Sequence, residues 1–155
     1  MFNRVVVSLD GSDVSEQALP VGSELASRLG VPLHLVRVAD LAWMSVGAAD
    51  TALEYSTLGD TISLEEQGAR DYLDSIAKSL AGDKLSITTE VRTGFAAREI
   101  IAAAQPDDLL VMASHGRSGP ARWLLGSVAE DVTRRAACPV LLVRATEAAE
   151  KVAGK

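Results

Sequence analysis

Residues suited to holding an anion are concentrated late in the chain. The apolar run Leu109-Leu110-Val111-Met112-Ala113 stops abruptly at Ser114-His115-Gly116-Arg117-Ser118-Gly119, and Gly126-Ser127-Val128 begins seven residues after Gly119. Glycine lets the backbone approach a ligand and adopt positive φ, so that its N–H groups point at the anion. A helix opening at Gly126-Ser127 would add unpaired N–H groups and the positive end of its dipole. This layout suits a phosphate chain. It also suits a strand–turn–helix connection whose glycines serve only the turns.

A second polar cluster, Asp10-Gly11-Ser12-Asp13, closes the β-branched run Val5-Val6-Val7-Ser8-Leu9. A carboxylate there would accept hydrogen bonds from ribose hydroxyls, or would merely cap the helix that follows. The two clusters support each other only if both lie at strand ends facing one crevice, so the elements between them matter.

Continuous apolar strands at 5–9 and 109–113 read as buried on both faces of a parallel sheet. Val14, Ala18, Val21, Leu25 and Leu29 recur at helical spacing, and Gly30 ends that helix. Pro20 falls inside it and predicts a bend or a delayed start. A second strand spans 31–38. Leu41 to Gly59 lacks a clean period and reads as a long loop carrying Trp43 and Met44. A helix then runs from near Ile62 to Gly82.

The alternating stretch 85–92 predicts a strand that exposes one face or sits near a sheet edge, with Thr93-Gly94 as its turn. A short helix over Phe95–Gln105 stops at Pro106. The last helix spans Val128 to Ala137, and the fifth strand lies in 139–144. Strands alternating with helices give an α/β domain with a doubly wound parallel sheet and right-handed crossovers. It spans 1–146, with a polar tail over 147–155. In such sheets ligands bind outside the carboxyl ends of the strands, where the winding direction reverses.

The bulk composition narrows the function classes. The 155 residues are 48% hydrophobic and 23% charged, as in ordinary globular proteins, and only 4% aromatic. A net charge of −6 argues against a nucleic-acid or anionic-membrane binder. One cysteine, Cys138, and two histidines leave no disulfide and no zinc-type cluster. Met1–Arg4 lacks the start of a signal peptide and no run is long enough to span a membrane, so a cytoplasmic protein is expected. The stretch from Ala113 to Arg135 is locally basic, with Arg117, Arg122, Arg134 and Arg135 against Glu130 and Asp131. No base is paired with a nucleophile, so any turnover should be slow.

Several nucleotide sites are excluded by spacing. The chain lacks Gly-x4-Gly-Lys-Ser/Thr, and no Gly-x-Gly-x-x-Gly follows its first strand. Ser8-Leu9-Asp10-Gly11-Ser12-Asp13 is only faintly similar to the Ser-Gly-Gly-x-Asp-Ser loop of ATP pyrophosphatases, because Leu9 and Asp10 replace its glycines.

From first to fifth strand the chain resembles the universal stress proteins, whose nucleotide-binding members carry Gly-x2-Gly-x9-Gly-Ser/Thr after strand four. Gly116, nine residues, then Gly126-Ser127 match the second half. Ala113-Ser114-His115-Gly116 matches the first half except that Ala113 replaces the leading glycine. Asp10, Val38 and Gly94 match further family positions. The resemblance implies a Rossmann-like three-layer domain with a five-stranded sheet in the order 3-2-1-4-5. It implies ATP in the crevice, or ADP or AMP, with Mg²⁺ or Mn²⁺ bound through the phosphates. Asp10 would then bind ribose, backbone near Val38 the adenine, and Gly116, Gly126, Ser127 and Val128 the phosphates. Ala113 would narrow the ribose–phosphate approach, and Arg117 would add charge near the phosphates. The family also implies a homodimer paired through Val140-Leu141-Leu142-Val143, an apolar edge strand that would otherwise invite aggregation. Members without the glycine motif imply the alternative: a nucleotide-free dimer acting through a protein partner.

Overall fold

The computed structural model describes residues 1–42, 52–82, 85–115 and 125–145, without the side chains of 52–56. Trp43, Met44, Gly116, Arg117, Arg122 and the 147–155 tail lie outside the described residues.

Strand β1 (Val5–Leu9) is buried at every position, as its unbroken apolar run requires of a central parallel strand. It lies between β2 (Leu33–Asp40) and β4 (Leu109–Ala113). With β3 (Ile87–Gly94) and β5 (Val140–Val143) outside them, the parallel sheet has the order β3-β2-β1-β4-β5. β3 is an edge strand, and its alternating pattern follows from that place.

Helices cover both faces. α1 (Asp13–Glu16), α2 (Ala18–Leu29) and α3 (Ala52–Leu80) pack on one. The core there joins Val5, Val7, Leu9, Leu33, Leu35, Leu73 and Val111. On the other face lie α4 (Ala96–Ala103) and α5 (Ser127–Arg135). Val6, Val36, Ile100, Leu110, Met112, Ala129 and Val132 form the core on that side. Alternate strand residues thus feed opposite cores.

The helix expected to bend or start late at Pro20 does so, while β2 and β3 each begin and end two residues later than expected. The first helix is divided at Gln17, with Pro20 in the first turn of α2. Proline has no N–H for the Glu16 carbonyl and its ring would clash there, so the chain restarts its helix. Pro20 then occupies a place where a missing N–H costs little. The expected loop from Leu41 to Gly59 is corrected as well: α3 begins at Ala52, ten residues before Ile62. Tyr55, Leu58 and Ile62 recur at helical spacing in its early turns, and the helix is anchored later by buried Ala69 and Leu73.

At the amino ends of the strands, Asp108 is 1% exposed and closes the approach to β4. Arg4 Nε donates to both its oxygens at 3.1 and 3.0 Å, and the Gln105 N–H donates at 2.7 Å. Arg4 Nη2 also donates to the Ala103 carbonyl at 2.9 Å. This network ties β1 to the end of α4, far from the opposite rim where the polar clusters meet.

Candidate functional site

At the carboxyl ends of the strands the sheet opens between β1 and β4. Their ladder runs from Val5↔Leu109 to Val7↔Val111, two residues short of Leu9 and Ala113. On the other side β1 pairs with β2 only to Leu9↔Arg37, while β2 continues with β3 to Asp40↔Gly94. Val38 is therefore the first β2 residue beyond the β1 ladder. A crevice at the reversal of winding follows from these unequal lengths.

The β4 rim is built from backbone. Ser114 N–H donates to the Val143 carbonyl at 2.8 Å, and Ser114 Oγ accepts from the Ala145 N–H at 3.3 Å. The Gly126 N–H donates to the Ser114 carbonyl at 2.9 Å, fixing the start of α5 against the end of β4. A Cβ on Gly126 would stand 3.1 Å from His115 Cα, so glycine permits this approach. Gly126 is the N-cap of α5 and offers no capping side chain. The helix thus begins without a side-chain acceptor for its first N–H groups, at Ser127 and Val128, which suits an external anion. His115 Nδ1 lies 3.4 Å from Ser114 Oγ.

Ala113 is 5% exposed and is the last residue of a regular strand, paired with Val143. An extended backbone is one that alanine adopts freely. Val111 belongs to the core beneath α2 and α3, and Leu110 and Met112 to the core beneath α4 and α5. Alternation therefore turns the Ala113 methyl toward the α2 side and away from α5.

On the β1 rim, Asp10 Oδ1 accepts from the Ser12 N–H at 2.9 Å and the Ser12 hydroxyl at 2.6 Å. Ser12, not Asp10, caps α1: its Oγ accepts from the Ser15 N–H at 3.1 Å. Asp10 holds the capping residue at the carboxyl end of β1. Val38 and Val128 both pack against the α4–α5 core, which brings those two residues to one face.

Beside Val38, β3 contributes Arg92, its partner in register. Arg92 bridges Glu90 at 2.7 Å and Glu99 at 3.0 Å, and Glu90 Oε2 lies 2.9 Å from His34 Nε2. Burial raises the Glu90 carboxyl, but hydrogen bonds from Arg92 and His34 outweigh it and hold it below the usual range. Sequence reading overlooked this chain, because its members are scattered over three elements.

Among the described residues no group of three or more His, Cys, Asp or Glu could hold a metal ion. None of their helices is long and apolar enough to cross a membrane. A shallow groove of about 890 Å³ between α2 and the end of α3, lined partly by Leu19, Pro20 and Leu85, lies away from these rims. Its charged walls, Glu24 and Arg28, neutralise each other at 2.7 Å, so it offers no convergent polar groups.

A doubly wound α/β domain with a polar crevice at its switch point is the class that fold and site define. The chain belongs to the universal stress protein family, whose family model matches residues 1–144. Universal stress protein MJ0531 of Methanocaldococcus jannaschii is 33% identical over 147 residues, 93% of this chain and 83% of that one. Universal stress protein UspA of Lactobacillus plantarum superposes with a TM-score of 0.79 at 24% identity, covering 92% of this chain and 98% of that structure. A universal stress protein solved in complex with cAMP superposes with a TM-score of 0.58 at 26% identity, covering 94% and 98%.

Proposed function

We propose that this protein is an adenine-nucleotide-binding regulatory module of the stress response, with little or no catalytic turnover. The observation that carries the reading is the α5 start, uncapped by a side chain and pinned through Gly126 to Ser114, across the crevice from Asp10. Its fit to a phosphate group is chemical: N–H donors, a hydroxyl at Ser127 and a helix dipole converge without a competing carboxylate cap. The relative that binds cAMP supports an adenine nucleotide as the ligand class.

ATP is the proposed ligand, with ADP or AMP as alternatives. Asp10 would hold the ribose, backbone at Val38 the adenine, and Gly116, Arg117, Gly126, Ser127 and Val128 the phosphates. Mg²⁺ or Mn²⁺ would be bound through those phosphates. The protein would act as a cytoplasmic homodimer paired through β5, whose Leu141 is 37% exposed. The second reading, a nucleotide-free dimer acting through a protein partner, rests on the same edge strand.

Denaturing the purified protein and assaying the released nucleotide tests the first reading. Adenine nucleotide should be released, and replacing Gly116 with a bulky residue should abolish it. No released nucleotide, together with no binding of added ATP with Mg²⁺ or Mn²⁺, would leave the second reading. Phosphate release indistinguishable from buffer would exclude a slow ATPase.

A further inference from the structure

We infer that Arg37 is a positioning residue for the Asp10 rim: backed by the Tyr72 ring, its guanidinium clamps the Asp10–Ser12 turn and ties it to α3. Its effect on ligand rests on the nucleotide reading above; the clamp itself does not.

A charged side chain between Val36 and Val38 is out of character for an inner strand, where apolar residues are the rule. Arg37 is the last β2 residue paired with β1, opposite Leu9, so it stands where β1 turns away. Gly11 adopts φ +84°, and a Cβ there would meet Arg37 Cζ, Nη2 and Nη1 at 2.9, 2.9 and 3.0 Å. Three nearly equal distances place Gly11 over the flat face of the guanidinium rather than at its edge. The Arg37 Cζ also lies 4.7 Å from the centroid of the Tyr72 ring, within cation–π range.

Tyr72 is itself fixed. Its hydroxyl donates to Glu16 Oε1 at 2.8 Å, which returns the chain of contacts to α1. Burial first, then the Glu16 hydrogen bond and charge, push the phenol well above its ordinary range, so it stays a donor. The circuit is closed: turn, Arg37, Tyr72 on α3, Glu16 on α1, and back to the turn.

The turn matters because it orients Asp10. The carboxylate accepts from the Ser12 N–H and hydroxyl, and the Asp10 N–H donates to Ser15 Oγ at 3.2 Å. A turn that moves carries the carboxylate with it, whereas the Gly126 rim is attached to β4 and has no part in the circuit. The structure therefore assigns two separable ends to the site. Arg37 governs the ribose end only.

The test uses the purified full chain, with adenosine and tripolyphosphate as separate calorimetric probes and amide hydrogen exchange read at Gly11 and Ser12. Tyr72→Leu and Arg37→Gln should weaken adenosine about five- to tenfold, the scale of one desolvated cation–π contact. Tripolyphosphate affinity should stay within about twofold, because the α5 donors are untouched. Exchange at Gly11 and Ser12 should accelerate in both variants, and Tyr72→Phe, which keeps the ring over Arg37 but loses the Glu16 hydrogen bond, should fall between them and wild type. Equal weakening of both probes would overturn the inference in favour of general structural loss. Unchanged exchange in both variants would overturn it outright. If wild type binds neither probe, the nucleotide reading fails, and the exchange data still decide the clamp.

Discussion

Gly126 and Ser114 are joined by a 2.9 Å backbone hydrogen bond that seats a helix start against a strand end. The contact leaves so little room that a Cβ at Gly126 would come within 3.1 Å of His115 Cα. Gly126→Ala has no φ penalty, since φ is −60° there, and acts through this crowding alone. It should lower stability by about 1 kcal/mol and weaken ATP about tenfold, by displacing the α5 donors. Calorimetry and thermal unfolding on one preparation check both numbers.

Ala113→Gly restores the leading glycine of the family motif. Because the Ala113 methyl points to the α2 side from a paired strand position, affinity for ATP should change by less than about threefold. Stability should fall by about 1 kcal/mol, from lost burial and a more flexible strand. A gain in affinity above tenfold would place the methyl in the ligand's path.

Asp108→Ala should cost about 3 kcal/mol, because Arg4 and the Gln105 N–H lose their shared buried acceptor. Those groups sit at the amino ends of the strands. Nucleotide affinity of the folded variant should therefore match wild type. Denaturant melts followed by binding below the transition separate the two effects.

Glu90 predicts an acid dependence of known sign. Its folded value lies below the ordinary 4.5, so its contribution is complete above pH 4.5 and is lost as pH falls through the depressed value. The stability difference between wild type and Glu90→Gln should be flat above about pH 5 and shrink below pH 4.5. A difference that grows on acidification would contradict the hydrogen bonds that Glu90 accepts from Arg92 and His34.

Leu141→Glu tests the proposed pairing through β5. Like charges brought together across a two-fold pairing repel, so self-association should weaken at least about tenfold, with the monomer fold retained. Sedimentation equilibrium reads the change. An unaltered dimer would move the interface elsewhere.

The residues by themselves determined a doubly wound parallel sheet; its order 3-2-1-4-5 was implied only by the resemblance to the universal stress proteins. β1 and β4 occur at the predicted positions, 5–9 and 109–113, because strands buried on both faces need unbroken apolar runs. β3 lies at an edge, one of the two places its alternation allowed. Asp10, Gly126 and Ser127 were legible because turn chemistry and helix starts are local. The start of α3 was not legible. Its early apolar spacing at Tyr55, Leu58 and Ile62 is diluted by Gly59 and small polar residues, and the buried anchors of the helix lie further along, at Ala69 and Leu73. The direction of the Ala113 methyl required the pleat. The contact between Arg37, Gly11 and Tyr72 required the folded chain, because residues 11, 37 and 72 meet only when β1, β2 and α3 converge. Local periodicity is set by neighbours in sequence; a guanidinium's partners are set by whatever the tertiary structure places above and below its plane.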